Sequence, residues 1–211
     1  MQLKIFVPRH PLIHHLSNFM QSLDVPSGLL KSTVVELSHW LTYEAINNWL
    51  DLTSINANTV HGSKTLDIID PSQELYALPL IKSGLVMTEG ISKLLPNISL
   101  FYVGFNCRNK QLSVDLEDEK RLKMIGPNSK ILIFDSIVTD SGKILSLLSL
   151  LSVKGIDLNS VRFLCALCTS DVLKDIAELY PSLTIYTSYI DNDFTISKMS
   201  LYDKLRESLF L

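Results

Sequence analysis

Uninterrupted apolar runs alternate with amphipathic segments over most of the chain. Strands are predicted for the runs LYALPLI (75–81), ISLFYVGFN (98–106), SKILIFD (129–135), VRFLCALCT (161–169) and LTIYTSYI (183–190). Helical spacing characterises the segments between them: 85–95, Lys143–Val153 and 170–180. Strands that alternate with helices of about ten residues predict βαβ units, and hence an α/β parallel sheet with helices on both faces.

Such a sheet is expected to bind ligands where its strands end. The carboxyl ends of parallel strands share one edge, and ligands sit in the crevice outside that edge. One crevice is therefore expected, surrounded by four turns: those after Ile81, Phe105, Phe134 and Leu167.

The first fifty residues carry helical patterns instead of strands. Two amphipathic helices are predicted, at 11–23 and 27–50. The predicted organisation is an N-terminal helical arm, residues 1–50, packed on an α/β core, residues 51–211.

Three further segments stand outside the βαβ pattern. Residues 51–72 are predicted to be irregular or β-like, and the polar residues 106–128 to form a hairpin or flap. The last segment, Lys198–Leu211, is predicted to be a short amphipathic helix. Its apolar side is formed by Leu201, Leu205 and Leu209.

Composition narrows the function classes. The 211 residues are 46% hydrophobic, which allows a sizeable core, yet no apolar run reaches the roughly 18–20 residues of a membrane span. The net charge of −3, with no basic stripe, argues against nucleic acid as a partner. Glycine is scarce, while Asn, Ile, Leu and Ser are plentiful. That bias is typical of an AT-rich genome and predicts a plastid (organelle-encoded) or bacterial cytoplasmic protein.

The stretch ILIFDSIVTDSGK (Ile131–Lys143) joins a strand, a turn of small and polar residues, and a helix N-terminus. This combination can cradle a phosphate, because backbone N–H groups and the helix dipole point at the turn. A cradle needs Gly and Thr, but here Asp140 lies in its middle and Gly142 is its single glycine. The turn either holds something other than a phosphate or is a phosphate site no longer used.

Other reactive residues give weaker signals. Cys165 and Cys168 have CxxC spacing, but residues three apart in a strand point to opposite faces, so core cysteines are predicted and no metal site. The acidic run Asp115–Lys120 is most simply a solvated flap. The histidines His10, His14 and His15 are spaced too loosely to form a metal-ligand set.

Five segments, in order and at suitable spacing, resemble the uracil phosphoribosyltransferase family: HPLIHHL (His10–Leu16), LTYEA (Leu41–Ala45), PLIKSGLVMTEG (Pro79–Gly90), NCRN (Asn106–Asn109) and YTSYID (Tyr186–Asp191). The resemblance implies a phosphoribosyltransferase-type fold. It also implies a reaction that transfers ribose 5-phosphate from phosphoribosyl pyrophosphate to uracil, giving UMP and pyrophosphate.

The resemblance further implies which residues meet the substrates. Asp135 takes the place of the family's loop acid, and cationic residues would meet the pyrophosphate and its Mg²⁺. If substrate binding is retained, its residues are Lys82, Ser83, Gly84, Arg108, Asp135, Thr139, Asp140, Ser141, Gly142 and Lys143.

The chain departs from the family where substrate is bound. Asp140 replaces a threonine of the phosphate loop, Ser141 replaces a glycine, and Lys82 replaces an arginine. A carboxylate beside a dianionic phosphate repels it; alternatively, Asp140 caps the following helix. After Asp191 the family carries a Gly-Leu-Gly-Asp-Ala-Gly-Asp segment that holds uracil, whereas NDFTISKMSLYDKLRESLFL contains no glycine.

Two hypotheses therefore stand. The first, which the loop and the tail favour, is a catalytically inactive protein with Asp135 as a vestige. It would act as a binding or assembly subunit with a protein partner in a larger complex, and a homodimer is one form of this. The second is a working uracil phosphoribosyltransferase of pyrimidine salvage. Mg²⁺ is expected only under the second hypothesis, and no other cofactor or metal under either.

Overall fold

The computed structural model of the protein describes residues 2–22, 25–108, 111–193 and 196–209, with the side chains of 108, 111 and 196–201 outside the description. The strands are β1 (Lys4–Phe6), β2 (Leu52–Thr59), β3 (Gly62–Ile69), β4 (Leu75–Pro79), β5 (Ser99–Leu100), β6 (Phe105–Arg108), β7 (Gln111–Val114), β8 (Lys130–Val138), β9 (Val161–Thr169) and β10 (Thr184–Asp191). The helices are α1 (Pro11–Met20), α2 (Ser27–Ile46), α3 (Thr88–Leu94), α4 (Leu116–Leu122), α5 (Gly142–Val153), α6 (Ser170–Leu179) and α7 (Ile196–Ser208), with 3₁₀ turns at Ser83–Met87 and Leu158–Ser160.

Six strands form one parallel sheet in the order β1-β10-β9-β8-β4-β5. The strands β8 and β9 are central, as predicted for Ile131–Phe134 and Val161–Leu167, and nearly all their residues are buried. Both runs are apolar because each strand has a helical layer on both of its faces. The predicted parallel α/β sheet is therefore confirmed.

Helices cover the two faces of the sheet with separate apolar cores. On one face α5 and α6 bury Leu147, Leu151 and Ile176; on the other α2 buries Leu37 and Leu41 beside α1, α3 and α7. The prediction that Lys143–Val153 packs on one face is confirmed. Over the described part of the chain, no helix combines the length and apolarity that crossing a membrane requires.

The N-terminal segment contributes more than helices. The predicted helices appear as α1 and α2, but the preceding strand β1 was not predicted, and it pairs with β10 through Ile5 and Ile185. Residues before the helices thus belong to the sheet itself. The division into residues 1–50 and 51–211 stays a prediction.

The segment 51–72, predicted to be irregular or β-like, is an antiparallel hairpin, β2–β3. On one face of this ribbon, side chains bond across the strands: Ser54 donates to Asp67 at 2.6 Å and Thr65 to Asn56 at 3.1 Å. The opposite face carries Ile55 and Leu66, directly paired and about 40% exposed. The ribbon therefore has one polar and one apolar face.

The strand predicted at 98–106 is shorter than expected. Pairing with β4 ends at Leu100, and a single bridge from Val103 follows. The backbone of Gly104 then bonds to other elements: its N–H donates to the Asp118 carboxylate at 2.8 Å, and its carbonyl accepts from the Asp115 N–H at 2.9 Å. The chain consequently leaves the sheet and forms a flap of β6, β7 and α4, which confirms the predicted hairpin. The acidic run proves to be the capped helix α4.

Cys165 and Cys168 lie on the same side of the sheet, both buried against the α5–α6 layer. The prediction that they point to opposite faces is wrong, because the alternation of β9 is interrupted at Ala166. This small residue lies level with Ser136 of β8 and Ser188 of β10, where the neighbouring strands lose alternation too. Burial raises the pKa of the Cys165 thiol, which keeps it protonated and suits a core residue.

Candidate functional site

A crevice lies at the carboxyl ends of β4 and β8, between the flap and α7. It consists of a cavity of about 640 Å³ and a smaller one of about 210 Å³. Ser83, Lys143 and Arg206 line both cavities. The turn after β4 and the flap contribute to these walls, as predicted. The turn predicted after Phe134 starts later, because β8 continues to Val138, and it lines the smaller cavity through Asp140. The turn after Leu167 contributes to neither cavity.

The turn after β4 brings two predicted residues to the crevice. Lys82 and Ser83 line the larger cavity, and the peptide bond between Ile81 and Lys82 is cis. Gly84 lies behind them, where a Cβ would overlap the carbonyl oxygen of Phe134 and lie 3.1 Å from the carbonyl carbon of Pro79. The glycine is therefore explained by the close packing of this turn against β8.

Asp135 is the buried acid of the crevice. Its side chain accepts a hydrogen bond from the Ser83 hydroxyl, and the residue is 4% exposed. Burial raises the pKa of Asp135 to about 6, although Ser83, Lys143 and Arg206 each favour the ionised form. The acid thus titrates close to neutral pH, which is a common property of functional sites and also of buried structural acids.

The turn between β8 and α5 is filled by its own side chains. The Asp140 carboxylate accepts from the Gly142 N–H at 3.0 Å, so one amide of the expected phosphate cradle is already occupied. Gly142 is the first residue of α5 and Ser141 is its N-cap residue, without a side-chain capping bond. Asp140 therefore bonds the first helical amide from one residue before the position at which the capping alternative placed it. The Ser141 hydroxyl donates to Asp175 of α6 at 2.6 Å. Asp140 and Ser141, which replace a threonine and a glycine of the family loop, therefore do not rebuild the family's phosphate cradle.

Two cations approach this turn from different elements. Lys143 Nζ donates to the carbonyl of Ile81 at 3.2 Å and thereby links the turns after β4 and β8. Arg206 comes from α7: its Nε donates to the Ile137 carbonyl at 3.2 Å, and one Nη donates to the Thr139 hydroxyl. Arg206, which was not predicted to lie in the crevice, thus bonds to the predicted residue Thr139 and lines the same cavities as the predicted residue Lys143.

The C-terminal helix α7 docks on its own domain. Tyr202, Leu205 and Leu209 are buried in the α2-side core, and the Leu201 side chain lies outside the description. The Tyr202 hydroxyl donates to Asp191 Oδ2 at 2.6 Å, and burial together with this carboxylate raises the pKa of Tyr202 above its ordinary value. Asp191 ends β10, the point after which the resemblance places the uracil-binding segment.

The remaining predicted residues lie away from this geometry or outside the description. The Arg108 side chain is outside the described residues. His10 caps α1 through its Nδ1, which accepts from the Leu12 N–H at 3.2 Å. Within the described residues, no group of three or more His, Cys, Asp or Glu side chains could hold a metal ion.

Sequence reasoning missed Arg206, Asp115 and Asp118 as crevice residues. The two acids were placed in a solvated flap, and no local pattern distinguishes a flap that folds over a crevice from one that does not. Arg206 had one usable signal: it follows Leu205 of the apolar stripe directly, so on a helix it borders the buried side.

Three comparisons with known proteins agree with this architecture. The uracil phosphoribosyltransferase of Synechococcus elongatus is 32% identical over 194 residues, which cover 90% of this chain and 88% of that protein. The uracil phosphoribosyltransferase homolog of Porphyra purpurea is 28% identical over 212 residues and covers 100% of both chains. Among solved structures, the AQ2163 protein of Aquifex aeolicus has a TM-score of 0.71 at 24% identity, covering 90% of this chain and 89% of that one, and so shares the fold.

The sequence pattern that defines the family described as "Uracil phosphoribosyltransferase" matches residues 7–201. This match spans five strands of the sheet, β4, β5, β8, β9 and β10, together with the crevice turns after β4 and β8 and the start of α7. It confirms the predicted phosphoribosyltransferase-type fold. The chain therefore belongs to the uracil phosphoribosyltransferase family.

Proposed function

We propose that the protein retains the family fold without the family reaction, and acts as a binding or assembly subunit of a larger complex. The observation that carries this proposal is the position of α7. Tyr202 bonds to Asp191 at the end of β10, and Leu205 is buried beside it. A docked helix stands next to the place where the family sequence would supply a flexible, glycine-rich segment for uracil.

The phosphate turn supports the same proposal. Asp140 occupies the Gly142 amide with a carboxylate, and a second negative charge within ~4 Å repels a phosphate dianion by several kcal/mol at an effective dielectric constant near 20. Ser141 is turned toward Asp175 of α6. The 5′-phosphate would therefore lose two features with which the family loop holds it.

The β2–β3 hairpin supports the assembly role. A two-stranded ribbon is at best marginally stable in water when nothing covers it. Here the apolar face with Ile55 and Leu66 is open, and both outer edges are unpaired within the described residues. A protein partner fits this face, and a second copy of the chain is one such partner. We place the protein in a plastid or a bacterial cytoplasm, supported by its cyanobacterial and red algal relatives.

The alternative is a working uracil phosphoribosyltransferase of pyrimidine salvage. It is favoured by the 640 Å³ cavity, which Lys82, Lys143 and Arg206 line together. Mg²⁺ belongs to this alternative alone, and it would enter with the pyrophosphate of the substrate. Asp115 and Asp118 are the nearby carboxylates, and both already accept backbone N–H groups.

We expect no UMP from uracil, phosphoribosyl pyrophosphate and Mg²⁺ beyond the amount formed without protein. The physical reason is that the docked helix α7 stands where the family's uracil-binding segment would lie, and that the turn between β8 and α5 carries the Asp140 carboxylate. A radiolabelled uracil assay measures this, with the Synechococcus elongatus protein as the positive control under the same conditions. Turnover at rates typical of enzymes, on the order of 1–10³ per second, would show that the alternative is correct.

The assembly role has its own test. The protein is purified from its native source at low salt concentration. Its apparent mass is measured by size-exclusion chromatography, and the proteins that co-purify with it are identified. Elution as a free monomer, with no companion and no self-association, would remove the assembly role without restoring the enzyme.

A further inference from the structure

We propose that a cavity on the opposite edge of the sheet from the crevice binds a small organic ammonium ion, that is, an amine with an apolar body. The cavity has a volume of about 410 Å³ and lies at the amino ends of β4 and β5. Strand β4 runs from this cavity to the crevice, because Leu75 at its start lines the one and Ile81, just after its end, lines the other. The inference therefore does not depend on whether the crevice is catalytic.

Two short segments of the chain build the cavity. One leads from the hairpin β2–β3 into β4, and the other leads from α3 into β5. Pro71 and Pro96 fix the backbone at the two turns, because the proline ring locks φ. A wall that is fixed in advance loses little freedom when a ligand binds. The other apolar residues of the lining are Ile69, Leu75, Leu94, Leu95 and Ile98.

Among the described residues that line this cavity, the charged ones are Asp70 and Glu74. Asp70 Oδ1 accepts hydrogen bonds from the backbone N–H and the hydroxyl of Ser72, at 2.9 and 2.7 Å. Glu74 Oε2 accepts from the Ser129 hydroxyl at 2.5 Å. Each carboxylate is thus held in place through one oxygen, and these bonds do not use the other. Both charges favour a cation, and an ammonium group can donate to either acid in a charge-assisted hydrogen bond.

Tyr76 adds an aromatic ring beside the acids. It lines the cavity, and its ring contacts the ring of Phe101 with the centroids 5.2 Å apart. Burial raises the pKa of the Tyr76 phenol and the charge of Glu74 raises it further, so the phenol stands near that carboxylate. Acids and an aromatic face attract an ammonium group, while apolar walls bury the body of its ligand. The cavity combines all three.

One lysine stands close to the cavity, but its charge is already met. Lys130 Nζ lies 3.5 Å from the side-chain oxygen of Gln73, which lines the cavity. The same Nζ forms an ion pair with Asp51 Oδ2 at 2.6 Å, and neither Lys130 nor Asp51 belongs to the lining. The two acids of the cavity therefore remain in excess, and an anion is not expected to bind.

The test is a titration with phenethylamine, a single-ring amine that suits a cavity near the lower limit of the roughly 300–1,000 Å³ of small-molecule pockets. Binding is followed at neutral pH and constant ionic strength by NMR of the backbone amides in residues 69–76 and 94–99. We expect saturable shifts confined to these two segments. 2-Phenylethanol has the same body with a hydroxyl in place of the ammonium group. It should bind at least about tenfold more weakly, since the charge-assisted hydrogen bond is lost.

Two substitutions remove the negative charges singly. Glu74→Gln keeps an acceptor for Ser129, and Asp70→Asn keeps one for Ser72. Each should weaken phenethylamine binding by about threefold to tenfold and leave the affinity for 2-phenylethanol within about twofold. The unchanged affinity for the alcohol shows that the cavity is intact in each variant.

Asp67→Asn is the matched control, because Asp67 is exposed on β3 and does not line the cavity. It removes the same charge as Asp70→Asn. The phenethylamine affinity should change by less than about twofold, as expected of a screened surface charge.

Three results would overturn the inference: no saturable shifts with millimolar phenethylamine, equal affinity for the amine and the alcohol, or equal losses in Asp67→Asn and Glu74→Gln. Shifts of the same amides that follow protein concentration without ligand would show that a second copy of the chain fills the cavity, and would equally reject the ammonium site. Because the crevice lies on the other edge of the sheet, UMP formation or its absence changes none of these expectations.

Discussion

Replacing Leu205 by alanine is expected to lower the free energy of unfolding by about 2–5 kcal/mol. Leu205 is 6% exposed and packs in the core on the α2 side of the sheet, so its truncation removes apolar contact and leaves a cavity. Urea unfolding followed by circular dichroism measures the change. Such a loss is a large fraction of the stability of an ordinary domain.

Glu207→Ala is the control for Leu205→Ala, because Glu207 is exposed on the same helix. We expect its effect to stay within about 0.5 kcal/mol, as is usual for surface substitutions. Equal, small effects of the two substitutions would mean that α7 is not docked in solution. The helix would then be available as an anchor for a partner, and the crevice would be open at the end of β10, where the family binds uracil.

Replacing Asp135 by asparagine is expected to stabilise the protein by about 3 kcal/mol near pH 7.5. The pKa of Asp135 rises from 3.8 to about 6 on folding, chiefly through burial. This difference corresponds to about 3 kcal/mol at about 1.36 kcal/mol per pKa unit. Asparagine has nearly the shape of aspartate, can accept from Ser83 and carries no buried charge.

The pH dependence of this effect has a definite sign. The folded state binds a proton to Asp135 at a higher pH than the unfolded chain does, so the unmodified protein gains stability as pH falls from about 6 toward 3.8. The advantage of Asp135→Asn should therefore be largest above pH 6 and shrink toward pH 4. Other carboxylates contribute equally to both proteins and cancel in the difference. A difference that does not change with pH would contradict the buried, shifted acid.

The core of the fold could be predicted from the sequence because local pattern and burial coincide there. Ile131–Phe134 and Val161–Leu167 are apolar without interruption, and this is the pattern that a strand covered on both faces requires. The pattern of apolar residues was less informative where a segment becomes a strand only through the strand with which it pairs. β1 has only three residues, and the apolar run 98–106 leaves the sheet because the flap captures both backbone groups of Gly104.

The site could be predicted only in part, for a related reason. Ser83 follows the end of β4 and Asp135 lies in the carboxyl-terminal half of β8, so the parallel topology places both at the crevice edge. Arg206 reaches the crevice through the docking of a helix, which depends on the shape of the core beneath it. Cys165 and Cys168 lie on the same face because small residues interrupt the alternation of side chains in three adjacent strands. A prediction that assumes strict two-residue alternation cannot include such an interruption.

The bond between Tyr202 and Asp191 gives the protein an optical signal of its own. A phenol exposed to water ionises near pH 10, with a known change in ultraviolet absorbance. The pKa of Tyr202 lies higher while α7 is docked, because the phenol is buried and donates its hydrogen bond to the Asp191 carboxylate. In an alkaline titration this tyrosine should therefore ionise late, when the helix leaves. The late component should lose the absorbance of one tyrosine in Tyr202→Phe, while Tyr76 and Tyr186, whose pKa values burial also raises, remain. The position of α7 can thus be followed in unlabelled protein while ligands or partners are added.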